Sequence, residues 1–393
     1  MLRTTSEILF NIALALSLAA SAYVVAALIG LRRFATHRKG RRRTAGHPSV
    51  TVLKPVCGLD FELYENLRSF CDQDYPDYQV IFAVLAADDP AIPVIQRIIS
   101  EFPARDITLT VDPAVHGANR KVSNLINSFR SAKHEILVVA DSDMRVGRDY
   151  LAAITQDFLD PTVGATTCLY RGVPGNGLLS KFACLHVNEW FLPSVLVSAL
   201  LQDIRFCFGA TMAVRRTILE RAGGFHALAS VLADDYMIGK FAHDQGFKVK
   251  LSPYVVDNII RETSLRELFG HELRWARTIR LLSPAGYGFL FLTNTFSVAA
   301  VSLVICGMTL GVDAIVVASI GLAVALRFRL HHAISTVLDL STPAPLWMVP
   351  LRDLLSFVVW GASFLGRDIQ WRGERFSLQS DGRIIAVKSQ ETA

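Results

Sequence analysis

Hydrophobic positions divide the chain into an apolar N-terminal stretch, a long middle region of short apolar runs and an apolar C-terminal region. Residues 8–31 contain no charged side chain over 24 positions. As an α-helix this stretch would be about 36 Å long, enough to cross a hydrocarbon core of about 30 Å. A cleaved signal peptide is the alternative, since Ala20-Ser21-Ala22 resembles a cleavage site, but the apolar stretch is too long for one. We therefore predict a retained transmembrane anchor.

A basic block follows the anchor and lies partly in a polar linker. The block consists of Arg32, Arg33, Arg38, Lys39, Arg41, Arg42 and Arg43. Positive charge beside a membrane span stays in the cytoplasm, so we expect the N-terminus to point outward and the middle of the chain to lie in the cytosol. The block also favours contact with anionic lipid head groups.

In the middle region, short apolar runs alternate with helical patterns. The runs typical of strands are Val50–Leu53, Gln79–Leu85, Ile107–Val111, Ile136–Ala140, Ala165–Leu169, Thr211–Val214 and Val249–Leu251. The helical patterns are Tyr64–Cys71, Ile92–Glu101, Lys121–Arg130 and Tyr150–Phe158. This alternation predicts an α/β domain with a mostly parallel sheet covered on both faces. Within Leu178–Leu201, the core at residues 190–197 is very apolar but too short to span, and Pro193 would disturb a helix, so we expect a buried helix or an interfacial segment lining a lipid groove.

The C-terminal region contains three further apolar segments. Phe289–Leu310 and Ala314–Leu326 are candidate spans, whereas Leu346–Gly366 contains Arg352 and Asp353. Basic residues after the last segment favour a cytosolic C-terminus, so we expect that segment to be re-entrant or interfacial. The predicted domains are 1–33 for the anchor, 34–48 for the linker, 49–284 for the α/β domain, 285–366 for the C-terminal membrane segments and 367–393 for a cytosolic tail.

Composition agrees with a membrane protein that does not bind nucleic acid. Of the 393 residues, 51% are hydrophobic, and the basic block more than accounts for the net charge of +5. We see no basic surface interleaved with aromatic residues, the pattern typical of nucleic-acid binding. Six cysteines without a C-x-x-C pair favour reduced thiols in a cytosolic domain over a zinc site or a disulfide framework.

The pattern Asp141-Ser142-Asp143 directly follows an apolar strand run. Ligand sites in open α/β sheets lie beyond the carboxyl ends of strands. Two carboxylates one residue apart can hold a divalent cation, and the cation can neutralise a diphosphate. A solvated turn is the alternative, because Asp and Ser are common in turns.

Two more acidic pairs have similar positions. Asp88 and Asp89 follow a strand run and either contact a nucleotide or cap the next helix. Asp234 and Asp235 precede a helical stretch and either cap it or supply a general base, for which a carboxylate with a raised pKa is suitable.

Basic and aromatic residues complete the set of candidates. Lys121 and Asn124 open a helix and either contact a ribose or phosphate or form a solvated helix start. His271 and Arg274 lie three positions apart on a helix-like stretch and share a face. A basic interfacial helix with Trp275 at head-group depth is one interpretation. The other places the guanidinium fork of Arg274 on a leaving diphosphate.

Taken together and in order, these motifs resemble those of family 2-like and ceramide-glucosyltransferase-like enzymes. The resemblance covers about residues 50–284 and rests on Leu53-Lys54-Pro55, Asp88-Asp89-Pro90-Ala91, Asp141-Ser142-Asp143, Asp234-Asp235-Tyr236 and His271-x-x-Arg274-Trp275. The bacterial hopanoid-biosynthesis glycosyltransferases are more similar still, in residues 64–71, 119–127 and 271–275.

The resemblance implies a GT-A fold, a UDP-sugar donor and Mg²⁺ or Mn²⁺. It implies that Asp89 contacts the uridine, that Asp141 and Asp143 hold the nucleotide and the metal, and that Asp235 is the catalytic base. Arg274 and Trp275 would close over the diphosphate and the acceptor. Donor binding is also implied for Lys54, Pro55, Asp88, Lys121 and Asn124.

One position departs from the family pattern, because His271 stands where the family has Gln or Arg. The role of this position is left open by the resemblance, and an imidazole adds a pH-dependent contribution as an alternative.

These observations predict an inverting glycosyltransferase of the bacterial inner membrane, with several spans and a cytosolic catalytic domain. It would move N-acetylglucosamine or glucose from a UDP-sugar to a hydroxyl of a membrane lipid, first of all a hopanoid of the bacteriohopanetetrol type. Ceramide glucosylation, processive polysaccharide synthesis and a non-catalytic nucleotide-sugar-binding scaffold are the alternatives. Few spans and the missing Gln at position 271 disfavour the second, and the complete set of acidic sites disfavours the third.

Overall fold

The computed structural model describes residues 2–40, 46–308, 313–371 and 373–387, and the chain divides into two compact units. The helical unit comprises Met1–Thr36, Asn176–Gln202 and Glu262–Arg367. The α/β unit comprises His37–Gly175, Asp203–Arg261 and Asp368–Ala393. The helical unit thus takes up two segments that lie inside the predicted α/β domain.

An eight-stranded sheet in the order β3-β2-β1-β4-β7-β6-β8-β5 forms the centre of the α/β unit. Its strands are β1 (Val50–Pro55), β2 (Tyr78–Val84), β3 (Asp106–Val111), β4 (Ile136–Val139), β5 (Met144–Arg145), β6 (Val163–Pro174), β7 (Met212–Arg215) and β8 (Lys248–Ile260). Four of the seven neighbouring pairs are parallel, and the three pairs β4–β7, β6–β7 and β5–β8 are antiparallel. The predicted α/β class with a mostly parallel sheet is confirmed.

Helices cover this sheet, as the apolar strands require. They are α2 (Leu63–Cys71), α3 (Ala91–Glu101), α4 (Arg120–Phe129), α5 (Tyr150–Thr155), α8 (Arg216–Arg221) and α9 (Asp234–Asp244), with 3₁₀ turns at Gln156–Leu159 and Phe225–Leu228. Every residue of β1 and β2 is buried, which is the pattern of a parallel sheet packed on both faces. Since β1, β2 and β4 are parallel, their carboxyl ends lie at one edge of the sheet.

The helical unit contains the long apolar segments. Its helices are α1 (Leu2–Gly40), α6 (Gly177–Leu185), a π-helix at His186–Phe191, α7 (Leu192–Leu201), α10 (Leu265–Leu282), α11 (Pro284–Phe289), a 3₁₀ turn at Leu290–Thr293, α12 (Thr295–Gly307), α13 (Ala314–Val337) and α14 (Met348–Ser363). By length and composition, Thr5–Gly40, Gly177–Leu201 and Ala314–Val337 are long enough to cross a membrane. The N-terminal helix thus has the properties expected of the predicted anchor.

Residues 177–201 form a helical run that is longer than their apolar core. The run has 25 residues and is a candidate span by length and composition. Pro193 lies in α7 directly after the π-helix, where the hydrogen-bond pattern of the run changes. The buried helix or interfacial segment expected here stays a prediction.

The C-terminal segments also differ in detail from the prediction. The predicted span 289–310 is bent by 77° between Pro284–Thr293 and Thr295–Gly307, and residues 309–310 lie outside the described part of the chain. The last segment is a helix of only 16 residues, in which Arg352 and Asp353 are buried. This length is below the about 20 residues that a simple transmembrane helix needs, and the re-entrant or interfacial arrangement stays a prediction.

The predicted linker and the predicted tail both contain regular secondary structure. Helix α1 continues to Gly40, well into the predicted linker, and basic side chains in its last turn suit the negative end of a helix dipole. Arg41, Arg42 and Arg43 lie outside the described residues. The predicted tail contains a three-stranded antiparallel sheet of β9 (Asp368–Trp371), β10 (Glu374–Leu378) and β11 (Ile384–Ala386).

Candidate active site

Lys121 joins two of the acidic motifs. Its Nζ lies 2.7 Å from Asp141 Oδ1 and 2.9 Å from Asp234 Oδ2. The side chain of Asn119 caps α4 by accepting a hydrogen bond of 3.1 Å from Val122 N, which fixes the first turn that carries Lys121. Burial lowers the pKa of Lys121, but the two carboxylates outweigh it and raise that pKa above its usual value. Lys121 therefore stays charged between Asp141 and Asp234.

Lys54 adds a second buried ammonium group beneath the same loop. It lies on β1 with no exposed surface, and its Nζ donates to the main-chain oxygen of Asp141. The Nζ also lies 3.8 Å from the centre of the Phe70 ring. Burial lowers the pKa of Lys54 to about 7, although Asp143 and Asp141 act in the opposite direction.

Asp143 is held on one side only. Its Oδ2 accepts a hydrogen bond of 2.9 Å from Asn258 Nδ2 on β8. Its Oδ1 is buried and has no hydrogen-bond partner among the described residues. Burial, followed by the charges of Asp141 and Asp60, raises the pKa of Asp143 to about 6.

Asp235 lies in the first turn of α9, and its Oδ1 accepts a hydrogen bond of 2.8 Å from Tyr236 N. Burial raises the pKa of Asp235 to about 6, and the neighbouring charge of Asp234 acts in the same direction. A carboxylate with such a pKa can accept a proton near neutral pH.

Gly209 brings the acidic groups into one place. A Cβ atom built on Gly209 would lie 2.9 Å from Asp141 Oδ2 and 3.6 Å from Asp235 Oδ2. The carboxylates of Asp141 and Asp235 therefore border the same small space, which a side chain at position 209 would fill.

The acidic residues of this cluster offer oxygen ligands for the predicted Mg²⁺ or Mn²⁺. Among the described residues, no group of three or more His, Cys, Asp or Glu side chains is placed to hold a metal ion by itself. The unpartnered Oδ1 of Asp143 and the neighbouring carboxylate of Asp141 are nevertheless the oxygen ligands that such cations prefer. The site thus suits a cation whose remaining ligands come from a bound diphosphate and water.

Asp88 and Asp89 have very different surroundings. Asp89 is buried, and its two carboxylate oxygens accept hydrogen bonds of 3.0 and 3.1 Å from Gly58 N, while Oδ1 also accepts one of 2.9 Å from Ala91 N. One of these bonds comes from the first residue of α3, whose N-cap residue is Pro90, and the other two hold the loop at Gly58. Asp88 is exposed.

Two other predicted donor-binding residues lie close to the end of β1. Pro55 is the last residue of β1 and pairs with Ala83 of β2. Asn124 on α4 donates a hydrogen bond of 3.3 Å to Val56 O, while its Oδ1 is buried without a partner in the described chain.

His271, Arg274 and Trp275 lie in the helical unit, on α10. His271 Nδ1 lies 2.9 Å from Glu262 Oε1, and half of its side chain is exposed. The guanidinium carbon of Arg274 lies 5.8 Å from the centre of the Trp275 ring. Trp275 in turn is stacked on His186, with ring centres 5.6 Å apart.

The helical unit contains a small aromatic cavity that the sequence did not predict. The ring of His186 is also stacked on Trp190, with centres 4.7 Å apart, and its Nδ1 lies 3.8 Å from Glu272 Oε2. Glu272 is buried and forms a two-pronged ion pair with Arg352, with distances of 2.7 and 2.5 Å. These groups border a cavity of about 20 Å³ whose lining includes His186, Trp190, Glu272, Tyr287, Asn294 and Trp360. The cavity combines aromatic walls with buried polar groups.

Comparisons with known proteins show the family and the fold. The model of Glycosyl transferase family 21 matches residues 12–384. Ceramide glucosyltransferase 3 of Caenorhabditis elegans is 23% identical over 359 residues, which cover 87% of this chain and 75% of that protein. The ceramide glucosyltransferase of Gibberella zeae is 30% identical over 136 residues, which cover 32% of this chain and 26% of that protein.

A solved structure supports the predicted GT-A-like fold. A mannosyltransferase from Pyrobaculum calidifontis, in complex with GDP-Man and Mn²⁺, is 21% identical with a TM-score of 0.50. The match covers 89% of this chain and 98% of that one. Together with the family match, it confirms a GT-A-like α/β fold.

Proposed function

The chain belongs to glycosyltransferase family 21, and from this premise we propose that it transfers a sugar from a UDP-sugar to a hydroxyl of a membrane lipid, with inversion at the anomeric carbon. The observation that carries the proposal is the cluster at Gly209, where the carboxylates of Asp141 and Asp235 border one space beside Lys121. The reaction needs groups that neutralise the charge of the donor diphosphate and a group that accepts the proton of the hydroxyl. The cluster contains groups of both kinds.

Asp235 is the proposed catalytic base. The acceptor hydroxyl gives its proton to the Asp235 carboxylate while its oxygen forms a bond to the anomeric carbon. The bond from that carbon to the diphosphate oxygen breaks, and UDP leaves with the electron pair. Its raised pKa makes Asp235 a better proton acceptor than an ordinary surface aspartate, and Tyr236 N orients it.

Donor binding is proposed for the residues around β1 and β4. A divalent cation held by Asp143 and Asp141 would neutralise charge on the diphosphate when bound. Lys54 and Lys121 contribute positive charge beside the same loop. Asp89, fixed by main-chain donors, is the proposed uridine contact. The remaining donor-side candidates are Pro55, Asp88 and Asn124.

The candidate residues of α10 are proposed to contact the leaving diphosphate and the acceptor. Arg274 suits a leaving diphosphate because its guanidinium group offers two parallel donors. Trp275 is proposed to contact the acceptor. His271 is paired with the carboxylate of Glu262, and we propose that this pair orients the imidazole ring.

The helical unit supports a lipid as the acceptor. Among the described residues, three helical stretches are long and apolar enough to cross a membrane. A lipid acceptor is itself held in the membrane. The motifs of residues 64–71 and 119–127 favour a hopanoid, whereas the names of the relatives favour a ceramide-type lipid as the second candidate.

A bacterial inner membrane with the α/β unit on the cytosolic side is the proposed location. The basic residues in the last turns of α1 support this orientation, because positive charge beside a span stays inside.

Mass spectrometry of membrane lipids tests the acceptor and the sugar together. Lipids would be extracted from cells with the chain, without it and with the Asp235→Asn variant. We expect one hexosylated or N-acetylhexosaminylated lipid that is present only with the unaltered chain. Identical lipid profiles in all three strains would contradict the proposal.

A further inference from the structure

A short segment directly precedes the two acidic residues of α9. It comprises Ala229–Leu232 and is separated from Asp234 by a single residue, Ala233. Helix α9 begins without a capping side chain, because its N-cap residue is Ala233. Alanine is a poor N-cap residue, so the position of the first turn of α9 must be fixed by other contacts.

One side of this segment is bound by the loop before α4. Asn119 N donates a hydrogen bond of 2.9 Å to Ala229 O, and Asn119 Nδ2 donates one of 2.7 Å to Val231 O. The approach is close at Gly117, where an added Cβ atom would lie 2.3 Å from Ala229 O. These contacts tie the segment to the helix that carries Lys121.

The other side is bound by the C-terminal hairpin, which we define as β10, β11 and their turn at residues 379–383. Ile384 N donates a hydrogen bond of 2.8 Å to Ser230 O, and Leu232 N donates one of 3.2 Å to Gly382 O. Val231 and Arg383 form an antiparallel bridge between these two bonds. The segment therefore lies between two partners as a short strand would.

The hairpin is built to present these groups. Gln379 and Arg383 close its turn through a hydrogen bond of 2.8 Å, and Gly382 adopts a φ of 83°, which favours glycine. Neighbouring residues on an antiparallel strand point their N–H groups to opposite sides, so the N–H of Ile384 faces away from β10. Ile384 is also almost fully buried, with 1% of its surface exposed.

We propose that the C-terminal hairpin is a positioning element for Asp234 and Asp235. It fixes the first turn of α9, as a capping side chain does in other helices. The catalytic meaning of this inference rests on the proposed function. The hairpin acts on them through its hydrogen bonds to Ser230 and Leu232. Loss of its hydrogen bonds frees the first turn of α9 and moves the proposed base relative to the acceptor hydroxyl.

A matched pair of proline variants tests the inference. Ile384→Pro removes the N–H that bonds to Ser230, whereas Ala386→Pro removes an outward N–H two residues further along the same strand. We expect Ile384→Pro to lower kcat by about 10- to 100-fold while the KM for UDP-sugar changes by less than about threefold, since a displaced base impairs the reaction more than donor binding. Ala386→Pro should retain kcat within about twofold.

A second pair covers the case in which Ile384→Pro does not fold. Gly382→Ala and Gly373→Ala place the same residue at φ angles of 83° and 81°, with open space around both positions. Gly382 accepts the bond from Leu232, whereas Gly373 lies in the turn at the opposite end of β10. A lower kcat in Gly382→Ala alone supports the inference, and equal losses in both variants overturn it.

Hydrogen exchange gives a result that does not depend on activity. We expect the amides of residues 230–237 to exchange faster in Ile384→Pro than in Ala386→Pro. Unchanged exchange in this segment, or faster exchange with an unchanged kcat, overturns the inference. A chain that transfers no sugar at all contradicts the proposed function, while the exchange measurement still decides whether the hairpin fixes α9.

Discussion

Lys121 Nζ lies 2.7 Å from Asp141 Oδ1, so an ammonium group on α4 neutralises the first carboxylate of the Asp141-Ser142-Asp143 motif. The same ammonium group contacts Asp234, the neighbour of the proposed base. A single lysine therefore connects the proposed donor-binding loop with the start of α9. This relationship makes Lys121 a positioning residue for both halves of the site.

Lys121→Gln should destabilise the protein and weaken donor binding. The change leaves two carboxylates without their cation, and breaking a largely buried pair costs about 3 kcal/mol. We expect a lower apparent melting temperature and a higher Kd for UDP-sugar, measured by thermal shift and by calorimetry in detergent. Lys133→Gln is the control, because the pair of Lys133 with Asp106 is exposed and such pairs contribute less than about 1 kcal/mol. Equal effects of the two variants would contradict the assigned role.

Asp235→Asn should remove transfer while leaving the donor site intact. Asn keeps the size of the side chain and an oxygen for Tyr236 N, but it cannot accept the proton. We expect kcat to fall by about 100- to 10,000-fold, the usual contribution of a general base, with little change in the KM for UDP-sugar. Retained turnover would exclude Asp235 as the base.

The pH dependence of transfer should show an acid limb near pH 6. The pKa of Asp235 is raised to about 6, so protonation below that pH removes the base and kcat falls. Steady-state rates between pH 5 and pH 9 check this prediction. A kcat that stays constant down to pH 5 would contradict it.

The same pKa shift predicts a pH-dependent gain in stability for Asp235→Asn. Because the folded state raises the pKa of Asp235 above its ordinary value, stability from this group is present at low pH and is lost as the pH rises through about 6. Asn removes that loss, so the variant should melt at a higher temperature than the unaltered chain at pH 8. The difference should shrink as the pH falls below about 6 and should disappear only near the ordinary value of 3.8, where the unfolded chain is protonated as well.

Gly209→Ala should impair the site without disturbing the fold. The added methyl group would lie 2.9 Å from Asp141 Oδ2, inside the space that Asp141 shares with Asp235. We expect at least about a tenfold loss of kcat/KM, since small displacements of reacting groups are costly. Gly321→Ala on α13 has nothing within 4 Å of the new methyl and serves as the control. Full activity of both variants would show that the space at Gly209 is not used.

Arg352→Met should destabilise the helical unit through its partner. Arg352 and Glu272 are both buried, and removing one leaves the other charge uncompensated, at a cost of about 3 to 5 kcal/mol. The double variant Arg352→Met with Glu272→Met removes both charges and should recover much of that loss. Melting curves of the two variants in one detergent make the comparison.

The sequence predicted the strands of the sheet well because each is an apolar run with polar residues at its ends. All seven predicted strand runs are present in the eight-stranded sheet, whose remaining strand, β5, has two residues and was not predicted. These strands form the centre of the fold. Their apolar runs can be recognised in the sequence without knowing which distant residues pack against them.

Features that depend on distant partners were not predicted. The full length of the run 177–201 was not predicted, because only its core at residues 190–197 is strongly apolar and Pro193 would disturb a helix there. The three strands of the tail were not predicted, because they are short and acquire buried surface only on folding. For the proposed site, the motifs predict Asp141, Asp143 and Asp235. The bond of Asn258 to Asp143 and the space at Gly209 arise from the tertiary fold.

Transfer of labelled sugar into extracted lipid tests the central claim most directly. Membranes containing the chain would be incubated with labelled UDP-sugar and Mn²⁺, with Asp235→Asn membranes as the control, and the organic phase would be counted and analysed. We expect labelled lipid and equimolar UDP with the unaltered chain, and neither with the variant. UDP release without labelled lipid, or equal labelling in both samples, would contradict Asp235-dependent glycosylation of a membrane lipid.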